Sequence, residues 1–144
     1  MAIKGAKLLA QHVCIVGARS FESEERSFLD AIGVRIFYMD EVRRRGIAPV
    51  LRDALELAQS GTAGFGISFD VDAIDPLEAP GVGTPAARGI EAGSLSDALR
   101  GIASHPKLAG IEVSEYNPAH DKQGKTARVV LAVLDAMVAE KVAA

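Results

Sequence analysis

Two aspartates separated by a single residue are the strongest chemical feature of this chain. Asp70 and Asp72 lie in the run Ser68-Phe69-Asp70-Val71-Asp72-Ala73-Ile74-Asp75-Pro76. On an extended segment, residues i and i+2 leave the same face, so both carboxylates would project together. They sit where an almost wholly apolar run gives way to a loop. Like charges side by side in such a place repel each other and resist losing water. A hard divalent cation relieves both costs, and oxygen ligands suit manganese or magnesium better than a soft-ligand metal. The same spacing also describes an ordinary strand-end turn, in which Asp72 or Asp75 caps backbone groups ahead of Pro76.

Two further segments could join this pair. Ala79-Pro80-Gly81-Val82-Gly83-Thr84-Pro85 combines glycines, which permit close backbone approach, with stiffening prolines. It reads as a rigid pocket wall or as a surface turn. It is not a phosphate loop, because no Gly-Lys-Ser/Thr ending follows. In Glu112-Val113-Ser114-Glu115-Tyr116-Asn117-Pro118, Glu115 falls near the end of another apolar strand. A carboxylate there could hold a cationic group by charge-assisted hydrogen bonds, or stand in solvent as a rim charge. His12, His105 and His120 do not neighbour Asp70 or Asp72 in sequence, and His120 alone has a route to them. Cys14, inside Val13-Cys14-Ile15-Val16, reads as an inert core thiol.

The elements that must position these residues alternate strand and helix. Strands are predicted at His12–Val16, Val34–Tyr38, Gly64–Val71 and Leu108–Tyr116. Helices are predicted over Glu22–Ala31 with Gly33 as its stop, around Glu41–Arg45, and through Val50 to Ala58 with Gly61 as its stop. Two more are predicted, along Leu95, Ala98, Leu99 and Ile102, and along Val129, Val130, Val133, Leu134 and Met137. A long loop from Asp72 to Gly93 separates the paired aspartates from the next helix, and loops of that length are usually functional. Gly64–Val71 is apolar enough to be a strand buried on both faces. The expected class is α/β, a three-layer α/β/α arrangement around a mostly parallel sheet, with ligands outside the carboxyl ends of the strands.

Composition sets the outer limits. The 144 residues suffice for one domain, and the formal net charge of −3 argues against a nucleic-acid partner. The single basic run, Arg43-Arg44-Arg45, reads as a solvated helix end. One cysteine cannot form an internal disulfide, and no apolar stretch is long enough to span a bilayer. A cytoplasmic location is the default expectation.

Taken together, these segments resemble the arginase/agmatinase, or ureohydrolase, family. Ser68-Phe69-Asp70-Val71-Asp72, with Asp75-Pro76 and the glycine-proline loop, is similar to the family's second metal signature. Glu115-Tyr116-Asn117-Pro118, then Asp121 and Lys125-Thr126-Ala127, resembles its closing signature. Val16-Gly17-Ala18-Arg19-Ser20 and Phe37-Tyr38-Met39-Asp40-Glu41-Val42 look like the strand segments before them. The likeness runs from about His12 to the closing helix and is to the C-terminal half of the family, closest to arginase.

The resemblance implies an arginase-like fold, taken as a single domain over residues 1–144, and a Mn²⁺ cofactor of two ions. Asp70 would bridge the ions and Asp72 would bind one of them. Glu115 would hold the substrate guanidinium, with Glu25 and Glu22 meeting its α-amino group; Glu22 stands where arginases usually carry Asp. The family's first half, with its metal-binding histidines, Asp-x-His-x-Asp cluster and acid/base His, has no counterpart here, so no catalytic residue is assigned. The implied reaction is manganese-dependent hydrolysis of L-arginine to L-ornithine and urea in an intact parent. The chain alone is expected to be inactive or weakly active, as a fragment, a split-gene product or a degenerate paralogue. Agmatine and formimidoylglutamate are the alternative substrates. The expected partners are a guanidino substrate and either further copies in a homo-oligomer or a complementary N-terminal half. A non-catalytic subunit is the rival from another class.

Overall fold

Strand and helix alternate as the apolar runs predict. In the computed structural model, which describes residues 8–138, the order is β1 (Cys14–Ala18), α1 (Ser23–Ile32), β2 (Arg35–Tyr38), α2 (Met39–Arg45), α3 (Ile47–Gln59), β3 (Phe65–Asp70), α4 (Ala92–Ala103), β4 (Leu108–Ser114) and α5 (Lys125–Val138). Single 3-10 turns lie at Ala10–His12, Val71–Ala73 and Lys122–Gly124. Every expected element is present, with its ends displaced by a few residues. Gly33 stops α1 as expected: it is left-handed, with φ of 82°, and the Val34 N–H closes back on the Leu29 carbonyl at 3.0 Å.

The α/β class is borne out, and every ladder is parallel. The expected single sheet is not formed, however. β1 pairs with β2 and β3 with β4, as two separate ladders among the described residues. β3 also departs from a strand buried on both faces. Phe65 and Phe69 are buried, whereas the alternate residues Gly66, Ser68 and Asp70 are exposed. The physical reason is that helices cover only one face of this ladder.

That covered face holds the core. α3 contributes Ile47, Val50 and Ala54, α4 contributes Leu95, Leu99 and Ile102, and α5 contributes Val133 and Met137. They meet Phe37, Phe65 and Phe69 of the strands. Fully burying a Val, Leu, Ile, Phe or Met side chain stabilises a fold by about 1.5–3 kcal/mol. α1, by contrast, buries no residue and leaves Phe28 62% exposed.

The stretch from Asp72 to Gly93 lacks regular elements but is closely tied. Asp75 N–H donates to the Ile90 carbonyl at 3.0 Å and Ile90 N–H to the Ala73 carbonyl at 2.9 Å. The Asp75 carboxylate accepts from the N–H groups of Leu77 at 2.9 Å and Gly89 at 3.0 Å. Gly89 must be glycine, because a Cβ would collide with the backbone of Ile74 and Asp75. The basic run is a helix end, as expected: Arg43 faces Asp40, and Arg45 faces Glu41 and Asp53. Among the described residues, no helix is long and apolar enough to cross a membrane.

Candidate active site

β3 delivers Asp70 as its last residue, and the chain turns at once into the 3-10 turn that contains Asp72. The two aspartates are therefore not alternate residues of one extended segment. Asp70 Oδ1 instead accepts the Asp72 backbone N–H at 2.8 Å, so the turn expected of a capping aspartate and the pairing expected of ligands occur together. Val71 between them is fully buried, which anchors the turn to the core. Asp72 Oδ1 is buried without a hydrogen-bond partner. A buried, unpartnered carboxylate oxygen is costly unless something cationic reaches it.

β4 ends at Ser114, and Glu115 follows with φ of 63°. A glutamate in this left-handed region is uncommon and strained, and such residues cluster at functional sites. Gly83 of the glycine-proline loop lies against it: a Cβ there would stand 3.8 Å from Glu115 Oε2. The loop itself is fastened on two sides. Gly81 O accepts from Asn117 N–H at 2.8 Å, and Gly81 N–H donates to the buried Thr126 Oγ1 at 2.7 Å. Gly81 must be glycine, because a Cβ would come within 2.6 Å of Asp121 Cβ. Asp121 in turn accepts the N–H groups of Thr126 at 2.8 Å and Ala127 at 3.0 Å, securing the start of α5. The loop is thus a rigid wall beside Glu115.

Asp70, Asp72 and Glu115 form one electrostatic unit. Burial raises the Asp72 carboxyl above its ordinary value, and the charges of Asp70 and Glu115 raise it further. The Thr84 backbone N–H and Arg19 pull it the other way. Arg19, just past β1, donates to the carbonyls of Ala86 at 2.8 Å, Ala73 at 3.3 Å and Ile74 at 3.3 Å, and also to that of Asp72. This half-buried guanidinium rivets the end of β1 to the loop after β3. It also supplies positive charge beneath the acids.

Other expected residues divide. Glu25, on the first turn of α1, lines the same cleft as Asp70 and Asp72. Glu22, the residue before α1, does not line it and is exposed. His120 is held by the Val82 carbonyl at 2.8 Å and supports the loop. His105 packs edge-on against Phe65, and His12 reaches the Leu57 carbonyl. Cys14 is a half-buried thiol, raised above its ordinary value by that burial, as expected of an inert core residue. Sequence reasoning assigned no role to Arg19, Thr84 or Tyr38, whose hydroxyl is buried without a partner.

The Arginase family model matches residues 1–139. The chain belongs to the arginase family. It is 36% identical to an arginase of Brevibacillus brevis over 135 residues, which are 94% of this chain and 45% of that relative. Among solved structures, the Bacillus caldovelox arginase superposes with a TM-score of 0.84 at 33% identity, covering 89% of this chain and 43% of that one. A formimidoylglutamase from Bacillus subtilis superposes with a TM-score of 0.86 at 30% identity, covering 92% and 42%. The chain thus spans about half the length of the relatives it matches.

Within an arginase-family frame, the donor set can be tested against the Mn²⁺ ions that the family implies. The buried, unpartnered oxygen of Asp72 and its acidic neighbours fit a hard cation. They supply only part of a cradle, because no group of three His, Cys, Asp or Glu side chains among the described residues could hold a metal ion.

Proposed function

We propose that this chain supplies the acidic half of a ureohydrolase active site, which hydrolyses L-arginine to L-ornithine and urea once the remaining part of the family's length is joined to it. The observation that carries this reading is the convergence of Asp70, Asp72 and Glu115 at the carboxyl ends of β3 and β4, with an Asp72 oxygen buried and unpartnered. Ligands of parallel sheets sit at that end.

Asp70 and Asp72 would hold manganese, which when bound makes hydroxide available at neutral pH by lowering the pKa of water. Glu115 accepts the N–H groups of a planar guanidinium and neutralises its charge, the pairing that suits a carboxylate best. The Gly81–Thr84 wall limits how the group can turn. Glu25, which lines the cleft, would meet the substrate's α-ammonium group; Glu22, which does not line it, has less support for that role. In the reaction, oxygen from water bonds to the guanidinium carbon and the carbon–nitrogen bond to the ornithine side chain breaks. The leaving nitrogen takes up a proton and urea remains. No described histidine stands at the site to deliver that proton, so the acid/base group belongs to the complementary residues.

The test measures product with Mn²⁺ present. The chain alone is compared with the chain co-expressed with those residues of the Brevibacillus brevis arginase that lie outside the match. Urea from L-arginine in the second sample only is the expected result. The similarity to formimidoylglutamase favours one second reading, so formimidoylglutamate and agmatine are assayed beside arginine. Preferential turnover of either replaces the substrate assignment. A stable complex that turns over none of the three makes the chain a non-catalytic subunit.

A further inference from the structure

Asp70, Asp72 and Asp75 follow one another closely at the end of β3, and two of them close their carboxylates onto the chain just ahead. Asp70 Oδ1 accepts the N–H of Asp72 at 2.8 Å, and Asp75 Oδ1 accepts the N–H of Leu77 at 2.9 Å. This closure onto the second residue ahead is what an aspartate in a turn ordinarily does. Asp72 departs from it. The equivalent donor, the Ile74 N–H, goes to the Val71 carbonyl at 3.1 Å, and Asp72 Oδ1 is left buried without a partner. Some contact must hold this turn against the closure that its neighbours adopt.

Arg19 makes that contact from the segment after β1. Its Nη1 donates to the Ala73 carbonyl at 3.3 Å. Its Nη2 donates to the carbonyls of Asp72, of Ile74 at 3.3 Å and of Ala86 at 2.8 Å, and its Nε to that of Ala86 at 3.2 Å. Three successive carbonyls thus converge on one cation. The Ala73 carbonyl and the Ile74 N–H belong to one planar peptide and point in opposite directions. Anchoring the first therefore fixes the second on Val71 and denies it to Asp72. Across the site, the Thr84 N–H meets the Asp72 carboxylate, and Ala86, two residues further on, is held by the same guanidinium. A planar fork of five donors can bind carbonyls of two segments at once, which the point charge of an ammonium does poorly. Burial lowers the Arg19 guanidinium below its ordinary value; the charges of Asp72, Asp75 and Asp70 oppose that effect and Arg43 adds to it.

We infer that Arg19 is a positioning residue: by binding the carbonyls of Asp72, Ala73 and Ile74, it stops Asp72 from closing on its own backbone and keeps one carboxylate oxygen free for a hard cation. The inference rests on the reading of Asp72 as a metal ligand. It adds a residue that acts through the backbone of that ligand and not on the cation or the substrate.

The experiment titrates Mn²⁺ into the full chain and follows its amide signals by NMR, because the paramagnetic ion broadens the signals nearest to it. In the wild type, residues 70–73 should broaden at lower Mn²⁺ than the residues around Asp97, an exposed acid of α4. Arg19→Met should raise the Mn²⁺ needed at residues 70–73 by at least about tenfold and leave the response around Asp97 as it was. Arg19→Lys, which keeps the charge and loses the fork, should also weaken the response. Arg43→Met removes an arginine that binds the Arg88 carbonyl of the same long loop, away from the aspartate turn, and should leave it unchanged. Melting is recorded for each variant, and if Arg19→Met does not fold, Arg19→Lys decides. A lower melting temperature with a wild-type Mn²⁺ response would make Arg19 a structural rivet only and overturn the inference. A wild-type response in Arg19→Lys alone would assign the effect to charge and overturn it too. Absence of selective broadening in the wild type removes the metal role of Asp72 and this inference together, whereas selective broadening indifferent to Arg19 removes the inference alone.

Discussion

Glu115, the residue proposed to hold the guanidinium, adopts a backbone conformation that favours glycine. Glu115→Gly should therefore raise the unfolding free energy of the isolated chain by up to about 1 kcal/mol, read by urea denaturation. In the complemented enzyme the same change should lower kcat/KM for arginine by about ten- to a hundredfold. Asp75 gives a second prediction, in pH. Hydrogen bonds from the Leu77, Gly89 and Arg88 backbone, with Arg19 nearby, hold its carboxyl below its ordinary value of 3.8. A depressed folded pKa contributes stability that is present above the unfolded value and is lost as pH falls through the folded one. Asp75→Asn should thus melt a few degrees lower than wild type at neutral pH, with the gap closing below pH 3.8. Asp70, Asp72 and Glu115 were legible in the sequence because acids at the ends of apolar strands stand out by type. Arg19 was not, because its partners are backbone carbonyls 53 to 67 positions away, which leave no mark of residue identity.

Among the elements, the glycine-proline loop and α5 act as one piece through Thr126. Its Oγ1 is the acceptor for the Gly81 N–H, and the side chain is fully buried. Thr126→Val keeps the shape and leaves that N–H unpaired, so it should cost about 1–3 kcal/mol in urea denaturation. Weaker protection of the Gly81 and Val82 amides in hydrogen exchange would place the damage in the loop. The periodicity of apolar residues was enough to find each helix and strand, because the core here draws on one stripe per element. It could not show that Asp72 leaves the extended line of β3. That depends on the Asp70 side chain capping the next turn, a competition that spacing alone leaves open.

At the level of the whole molecule, what was legible was an inventory. Motifs of one half of the arginase family are present and those of the other half are not. Where the absent part fits was not legible, since strand order is set by pairing between distant segments. Only the structure shows the interruption between β1 and β3. An open apolar cleft of this kind should bind a fluorescent hydrophobic dye in the chain alone, with the signal falling when the complementary polypeptide is added. Equal dye signal before and after complex formation would count against burial of the cleft. The bare edges seen among the described residues also carry a hazard: strands left uncovered stack on those of like chains, the first step towards fibres. Whatever segment covers them also keeps the chain in solution.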